Sequence, residues 1–166
     1  ITLQTAFPTH LTLPVQINNQ ASGYTYGVEV SADWRPIENW RLQGNYSFIQ
    51  IHTDSNPFFK PLDPSVGSAG KITPQHQVSL RSHYDFSERL QLNLWLRYVS
   101  NISFYNIQDY VTMDSKLTYK PFKNVELFVV GQNLFSQNHR EFASDFIPSM
   151  ATNIPRGVYA GAQWRF

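Results

Sequence analysis

The chain has 166 residues, of which 42% are hydrophobic and 15% aromatic, and it contains no cysteine, which excludes disulfide frameworks, thiolate metal sites and a cysteine nucleophile. Thirteen basic and twelve acidic residues leave a formal net charge of +1 without a basic block, so the electrostatic footprint of a nucleic-acid-binding protein is absent. No run approaches the roughly 18 apolar residues of a membrane helix, so any membrane span must consist of strands.

The N-terminal part carries the weakest structural signal. The chain begins at Ile1 without the charged, apolar and small-residue regions of a signal peptide. Either a leader has been removed or the sequence starts within a longer protein, and the second is our expectation. A weak strand pattern covers residues 10–18, where Pro14 interrupts the alternation.

Strict alternation begins at Tyr24 and predicts a β-strand with one apolar face. The even positions from Tyr24 to Trp34 are aromatic or aliphatic, whereas the odd positions between them are polar or glycine. A period of two is typical of a strand, because successive side chains point to opposite faces. A helix would instead show apolar spacings of three and four.

The same pattern returns at residues 40–48 after a short connection, which predicts a hairpin. A register that pairs Trp34 with Trp40 would also place Asp33 opposite Arg41, so that the aromatic faces and the charges become partners together. We therefore predict this register for the first hairpin.

Two further hairpins and a final strand follow with the same alternation. The second hairpin joins residues 78–86 to 90–98, and the third joins residues 111–119 to 125–129. The last apolar alternation runs over residues 158–166. Together with the weak N-terminal segment, these patterns predict about eight strands.

Short and long connections alternate along the chain. The long ones are residues 53–74 and 132–155, with a shorter one at 101–109, whereas the connections after Arg35, Phe86 and Tyr119 are tight. Outer-membrane barrels have this order, with tight turns on the periplasmic side and long loops outside. A soluble sandwich gives no reason for it.

Strand length agrees with a membrane span. The roughly ten steps from Tyr24 to Trp34, at about 3.3 Å per residue and a tilt of about 40°, extend about 25 Å along a barrel axis. The apolar band of an outer-membrane barrel has about this height. Aromatic residues gather near both strand ends, which predicts two girdles at the membrane interfaces. We expect the apolar face to meet lipid and the polar face to line the lumen.

Several motifs resemble the C-terminal end of TonB-dependent receptors. They are Tyr26–Glu29, Pro74–Val78, Leu96–Ser100, Gly131–Phe135 and Pro155–Phe166. The likeness covers most of the chain from about Gly23, although Ser136 stands where members often carry an acidic residue. The resemblance implies an all-β fold, an antiparallel up-and-down transmembrane β-barrel of 22 strands, of which residues 1–166 would form the C-terminal third or so.

The resemblance also implies a function. A receptor of this family captures a scarce nutrient outside the cell, such as a siderophore–iron complex, haem or cobalamin, and imports it across the bacterial outer membrane with energy supplied through TonB. An N-terminal plug fills its barrel, and we expect neither the plug nor a TonB-contacting segment in this chain. The expected partners are membrane lipid, the plug domain of the same protein, TonB through the missing N-terminal part, the barrel-assembly machinery and the small nutrient ligand. Nucleic acid and a cofactor are not expected.

Aromatic residues in the long connections are candidate ligand-binding residues, because loops on a rigid scaffold often carry binding sites. They are Phe58, Phe59, Phe104, Tyr105, Phe142 and Phe146. Packing of the loops against one another is the commoner role of such residues.

A second set of candidates belongs to the C-terminus. In the wider class of outer-membrane barrels, alternating apolar residues that end in an aromatic are the signal read by the barrel-assembly machinery. The matching residues here are Val158, Ala160, Ala162, Trp164 and Phe166.

The polar alternate positions are expected to line the lumen. The charged ones, with one histidine, are Glu29, Asp33, Arg41, Arg81, His83, Arg97, Asp114, Lys116 and Glu126. They could contact a plug or a permeating ligand, although a wet lumen ordinarily pairs such charges across strands. The five histidines show no pair at metal-ligand spacing, and no nucleophile elbow or carboxylate pair stands out. Neither a metal site nor an enzyme is expected.

Two other architectures remain open from the residues alone. A self-contained eight-stranded outer-membrane barrel could act as an anchor, an adhesin or a lipid-modifying enzyme, since eight strands can close. A soluble β-sandwich that binds carbohydrate or protein would bury the Leu90–Leu96 face against a second sheet. A plug and roughly fourteen more strands upstream would support the receptor, and solubility without detergent would support the sandwich.

Overall fold

The computed structural model describes residues 2–4, 10–12, 21–55, 68–136, 138–143, 150 and 152–166. Most of these residues lie in strands. They are β1 (Thr2–Gln4), β2 (His10–Thr12), β3 (Ala21–Ile37), β4 (Trp40–Ser55), β5 (His76–Ser87), β6 (Leu90–Val99), β7 (Tyr110–Phe122), β8 (Val125–Gln132), β9 (Asn138–His139), β10 (Ile154–Pro155) and β11 (Gly157–Trp164). A short 3-10 helix, Ser103–Tyr105, lies between β6 and β7. Across the described ranges, we find no helix with the length and apolar character that a membrane crossing requires.

Seven strands form one antiparallel sheet in the order β3, β4, β5, β6, β7, β8 and β11. Each of them is hydrogen-bonded to its neighbour in the chain, except that β9 and β10 intervene before β11 and pair with each other. The predicted up-and-down arrangement is thus confirmed. In the described residues, β3 and β11 are the two edges of this sheet.

The weak N-terminal strand does not join the large sheet in the described part of the chain. Residues 10–12 pair with residues 2–4 as a separate two-stranded sheet, β1 with β2. Residues 13–20 lie outside the described ranges. The large sheet therefore contains seven of the about eight strands predicted.

The first hairpin has the predicted strands in a different register. Trp34 lies opposite Leu42, and Trp40 lies opposite Ile37, so the predicted pairing of Trp34 with Trp40 is wrong. The cause is a two-residue turn preceded by a bulge between Trp34 and Ile37. Pro36 lies in this bulge, where the missing N–H of proline interrupts no regular ladder.

The other two tight hairpins repeat this construction. A register shift precedes the turn between Asp85 and Ser87, and again between Tyr119 and Phe122. The second residue of each turn also accepts a backbone hydrogen bond from the following hairpin or strand. These bonds run from Asp85 N–H to the Asn39 carbonyl (2.8 Å), from Lys120 N–H to the Arg89 carbonyl (2.8 Å) and from Arg165 N–H to the Asn124 carbonyl (2.9 Å). The three turns consequently form a row along one end of the sheet.

The register separates apolar and polar residues onto opposite faces. One row of facing partners across β3 to β7 consists of Val30, Tyr46, Val78, Tyr98 and Val111. A second row begins at Asp33, three residues after Val30, and lies on the other face. It consists of Asp33, Gln43, Arg81, Trp95 and Asp114. The two faces predicted from the alternation are therefore confirmed.

Nothing in the described residues covers the apolar face. Ile107 and Val130 are the buried hydrophobic side chains of this part of the chain, whereas Val30 is 56% exposed. Every pair of strands in substantial contact is a hydrogen-bonded pair of neighbours. A sandwich would pack the Leu90–Leu96 face against a second sheet, and the described strands provide none there.

Candidate functional site

The candidate site is the polar face of the sheet, where rows of facing residues cross from strand to strand. Next to the row that contains Arg81, one row consists of Arg41, His83, Asn93, Lys116 and Val130, and another consists of Ser31, Asn45, Ser79, Arg97 and Thr112. Glu29 and Glu126 occupy positions of the same alternation. All nine of the polar-face residues predicted from the sequence thus lie on one face.

Most charges of this face are paired across strands. Arg97 Nη2 lies 2.9 Å from Asp114 Oδ2, and Lys116 Nζ lies 3.3 Å from Glu126 Oε1. Within the single strand β5, His83 Nε2 also lies 3.3 Å from Asp85 Oδ1. These contacts fit the expectation that a polar lumen wall neutralises its own charges.

Arg41 and Asp33 form an ion pair despite the altered register. Arg41 Nε donates to both Asp33 carboxylate oxygens, at 3.0 and 3.1 Å. The two residues are not directly opposite, because Asp33 faces Gln43 and Arg41 faces His83. The contact is therefore diagonal, and the long Arg41 side chain makes the predicted charge pair without the predicted register.

Trp95 is the main residue of this face that the sequence interpretation missed. The Cζ atoms of Arg81 and Arg97 lie 4.4 and 4.3 Å from the centre of its ring. Its Nε1–H donates a hydrogen bond to Ser79 Oγ at 2.8 Å. Residue polarity alone does not indicate Trp95, whereas its position in the alternation, between Asn93 and Arg97, assigns it to the polar face.

Asp114 connects this cluster to the end of β8. One carboxylate oxygen accepts from Arg97 and the other from the Asn133 backbone N–H, at 2.9 Å. The Asn133 amide accepts from Thr112 Oγ1 at 3.0 Å and donates to the Ile154 carbonyl at 2.9 Å. Asn133 is 3% exposed and has a positive φ of 54°, which asparagine tolerates better than most residues. The motif at Gly131–Phe135 therefore fixes the start of the long connection between β8 and β11.

We expect Asn133→Ala to lower the free energy of unfolding by about 2–3 kcal/mol, because it leaves the buried Thr112 hydroxyl and the Ile154 carbonyl without this partner and keeps a strained φ. Denaturant unfolding of the full-length protein measures the change. Asn106→Ala is the matched control, since Asn106 also has a positive φ, 52°, but an exposed side chain. Equal losses in the two variants would contradict the assigned role of the Asn133 amide.

The predicted loop aromatics are partly within the described residues. Phe104 and Tyr105 belong to the 3-10 helix, with ring centroids 5.1 Å apart in an edge-to-face arrangement. Phe142 lies in the other long connection and is largely exposed. Phe58, Phe59 and Phe146 lie outside the described residues. Ligand binding by this set stays a prediction.

A cavity of about 640 Å³ lies at the loop end of the sheet, between the two connections that flank β7 and β8. Its lining includes Tyr110, His139 and Arg140. His139 Nε2 lies 2.7 Å from Glu141 Oε1, and its ring centroid lies 4.3 Å from that of Tyr110. A lone histidine gives no sequence signal for such a contact. Among the described residues, no group of three or more His, Cys, Asp or Glu side chains could hold a metal ion.

The predicted C-terminal signal lies on and just after edge strand β11. Val158, Ala160, Ala162 and Trp164 share the apolar face, and the ring of Phe166 lies 6.4 Å from that of Trp164. All five residues are exposed. Their recognition by the barrel-assembly machinery stays a prediction.

Comparison with known proteins identifies the family. The family model described as "TonB dependent receptor-like, beta-barrel" matches residues 1–134. No curated protein gives a significant match. Two similar solved structures are the FpvAI–pyocin S2 complex (TM-score 0.68, 19% identity, 86% of this chain and 20% of that one) and the pyoverdine outer-membrane receptor FpvA from Pseudomonas aeruginosa PAO1 bound to pyoverdine (0.66, 19%, 87% and 22%).

A third similar structure is the ferric-catecholate import receptor Fiu from E. coli K12 in its open form (TM-score 0.61, 19% identity, 87% of this chain and 21% of that one). At such identities the likeness shows the fold, and the chain spans about a fifth of each of these proteins. The matching family and structures are receptors rather than enzymes, in agreement with the absence of a catalytic motif. The sheet, its two faces and the match over residues 1–134 together show that the chain belongs to the TonB-dependent receptor family, as part of its β-barrel.

Proposed function

We propose that this chain forms the C-terminal part of the barrel wall of a bacterial outer-membrane receptor, which imports a scarce nutrient with energy supplied through TonB. The observation that carries the proposal is a family-matched sheet with one uncovered apolar face and one charged, internally paired face. A siderophore–iron complex, haem and cobalamin are the candidate nutrients. Two of the similar structures are named for pyoverdine and for ferric catecholate import, which favours a siderophore–iron complex.

The uncovered apolar face supports an integral position in the membrane. It extends over seven strands, whereas soluble monomers rarely expose contiguous apolar patches above a few hundred Å². At the turn end, Trp34, Phe122 and Trp164 are all more than 60% exposed. Aromatic rings at this height suit the boundary between acyl chains and headgroups. Membrane lipid is thus the partner proposed for this face.

The polar face, the edge strand β11 and the loop end of the sheet each suggest a further partner. The polar face would line the lumen and contact the plug, and β11 would carry the signal for the barrel-assembly machinery. The loop-end cavity beside His139 offers a place where an external ligand could be held. Contact with TonB would be made by parts of the protein other than these residues.

The alternative of a self-contained eight-stranded barrel has less support. The large sheet has seven described strands and two open edges, and the chain spans only about a fifth of each similar structure. Both observations favour a segment of a larger barrel.

Uptake by cells tests the proposal. Cells that lack the full-length receptor should lose accumulation of one radiolabelled nutrient from a panel of ferric siderophores, haem and cobalamin, and a plasmid copy should restore it. The restored uptake should disappear in a strain without TonB and after addition of a protonophore. Uptake that continues without TonB, or a receptor-deficient strain that accumulates every member of the panel normally, would contradict the proposal.

A further inference from the structure

Two charges in the strand interiors of the polar face have no ion-pair partner among the described residues. They are Arg81 on β5 and Glu29 on β3. Their neighbours on the same face are neutralised in pairs, as in Arg97 with Asp114. Both side chains are exposed in the described sheet, and in the closed, filled barrel of the proposed function an uncompensated charge there would interact more strongly with an opposite charge than it does in bulk water. These two positions are therefore where an occupant of the lumen would gain most from complementary charges.

The guanidinium of Arg81 belongs to an organised cluster. It lies 4.4 Å from the centre of the Trp95 ring, and a hydrogen bond to Ser79 holds that ring. Arg97 lies over the same ring at 4.3 Å, and Asp114 holds Arg97 in turn. A binding group that is already fixed loses little conformational entropy when its partner arrives. The cluster is thus prepared for a partner that supplies negative charge.

Unused hydrogen-bond donors of Arg81 also favour a negatively charged partner. The Arg81 guanidinium forms no hydrogen bond with another described residue. Arg81 lines a cleft of about 500 Å³ together with Trp95, Asp114 and Lys116. A planar carboxylate matches a guanidinium through two parallel hydrogen bonds, and the Trp95 ring supplies an apolar flank beside it.

We infer that the cleft over Arg81 and Trp95 is the docking point for a carboxylate side chain of a polypeptide segment that lies against the polar face. This inference rests on the proposed function, because it requires a lumen filled by another part of the same protein. The cleft and the fixed Arg81–Trp95 contact carry it.

Glu29 favours a polypeptide over a small anion. In the sheet register, Glu29 is two strands and four residues away from Arg81, a separation of about 16 Å. An occupant that satisfies both charges must carry a carboxylate and a cation about this far apart. About five residues of extended chain cover the distance. A small anion would satisfy Arg81 alone and leave Glu29 unpaired.

Site-specific photocrosslinking in the full-length receptor, in its own membrane, tests the docking point. A photoreactive benzoylphenylalanine replaces Asn93, which lines the cleft with Arg81, and in a control it replaces Leu80 on the opposite face. We expect the probe at position 93 to give an intramolecular crosslink to an Asp- or Glu-containing peptide outside these 166 residues, and the probe at position 80 to give none. Crosslinks confined to these residues, or crosslinks that appear only when a small ligand is added, would overturn the inference.

Charge reversal tests the role of Arg81 itself. Arg81→Glu should lower the yield of that crosslink about tenfold or more, since a charge-assisted hydrogen bond contributes about 1.5–3 kcal/mol. Arg81→Lys should retain more of the yield, and conversion of the crosslinked acid to lysine should restore the yield in Arg81→Glu. Unchanged yield in Arg81→Glu contradicts the inference, provided that heat-modifiable electrophoretic mobility shows a folded barrel.

The two proposals fail in different ways. If the wild-type receptor supports TonB-dependent uptake but the probe at position 93 finds no acidic peptide, the docking point alone is wrong. If wild-type uptake is independent of TonB, the proposed function is wrong whatever the crosslink shows.

Discussion

Val30→Arg is expected to destabilise the assembled barrel by about 2–4 kcal/mol, because it places a cation in the middle of the face that we propose to contact lipid. Val30 is 56% exposed, lies near the centre of β3 and faces Tyr46 within an entirely apolar row. In a membrane, no water is present at that depth to solvate the guanidinium. Urea unfolding of the full-length receptor in lipid vesicles measures the loss, and a smaller folded fraction in the outer membrane should accompany it.

Ser31→Arg is the matched control for this prediction. Ser31 is the next residue of the same strand, at nearly the same depth, and its side chain donates to Asn45 on the polar face at 2.9 Å. A cation there enters a polar and hydrated surface, so we expect a change below about 1 kcal/mol. If the two variants unfold alike, or if Ser31→Arg is the more damaging one, the assignment of the two faces to lipid and lumen is wrong.

Asp114→Ala should be the most damaging change on the polar face, with a loss of about 2–4 kcal/mol in the free energy of unfolding. The Asp114 carboxylate neutralises Arg97 and accepts from the Asn133 N–H. Its removal leaves a partly buried cation unpaired, and one nitrogen of that cation, Nε, already lacks an acceptor in the described residues. The same denaturant measurement applies.

Asp33→Ala provides the comparison, since Asp33 also pairs with an arginine but at an exposed place. The side chains of Asp33 and Arg41 are 44% and 42% exposed, against 22% and 33% for Asp114 and Arg97. Exposed ion pairs contribute little to the free energy of unfolding, because solvent screens them. A loss in Asp33→Ala as large as in Asp114→Ala would show that burial does not set the contribution of these pairs.

The sequence was sufficient for the strands and their faces. The alternation from Tyr24 to Trp34 depends only on which residues are apolar, and a strand with one apolar face needs such a residue at every second position. The same reasoning assigned the charged residues of the polar face. Residue polarity does not predict that Trp95 lies on this face, because its side chain is aromatic. The Trp95 ring is stabilised there by specific neighbours, Arg81 and Arg97, whose contacts with it form only in the folded sheet.

The register of the first hairpin could not be obtained in this way. The predicted connection begins directly after Arg35, but a bulge admits Pro36 into β3 and the two-residue turn follows Ile37. Such a shift costs little locally and leaves both faces unchanged, so the alternation cannot detect it. The contact of His139 with Tyr110 is equally hidden, since Tyr110 begins β7 and His139 lies in β9, and the two residues meet only after folding.

In the described part of the chain, the up-and-down order of the sheet places each hairpin in substantial contact with the hairpins next to it in the sequence. The wall is thus close to a one-dimensional array, in which stability is approximately a sum of terms between nearest neighbours. Duplication or loss of one hairpin would change the circumference of the barrel while leaving the remaining contacts intact. Pore width can consequently evolve separately from the chemistry of the lining.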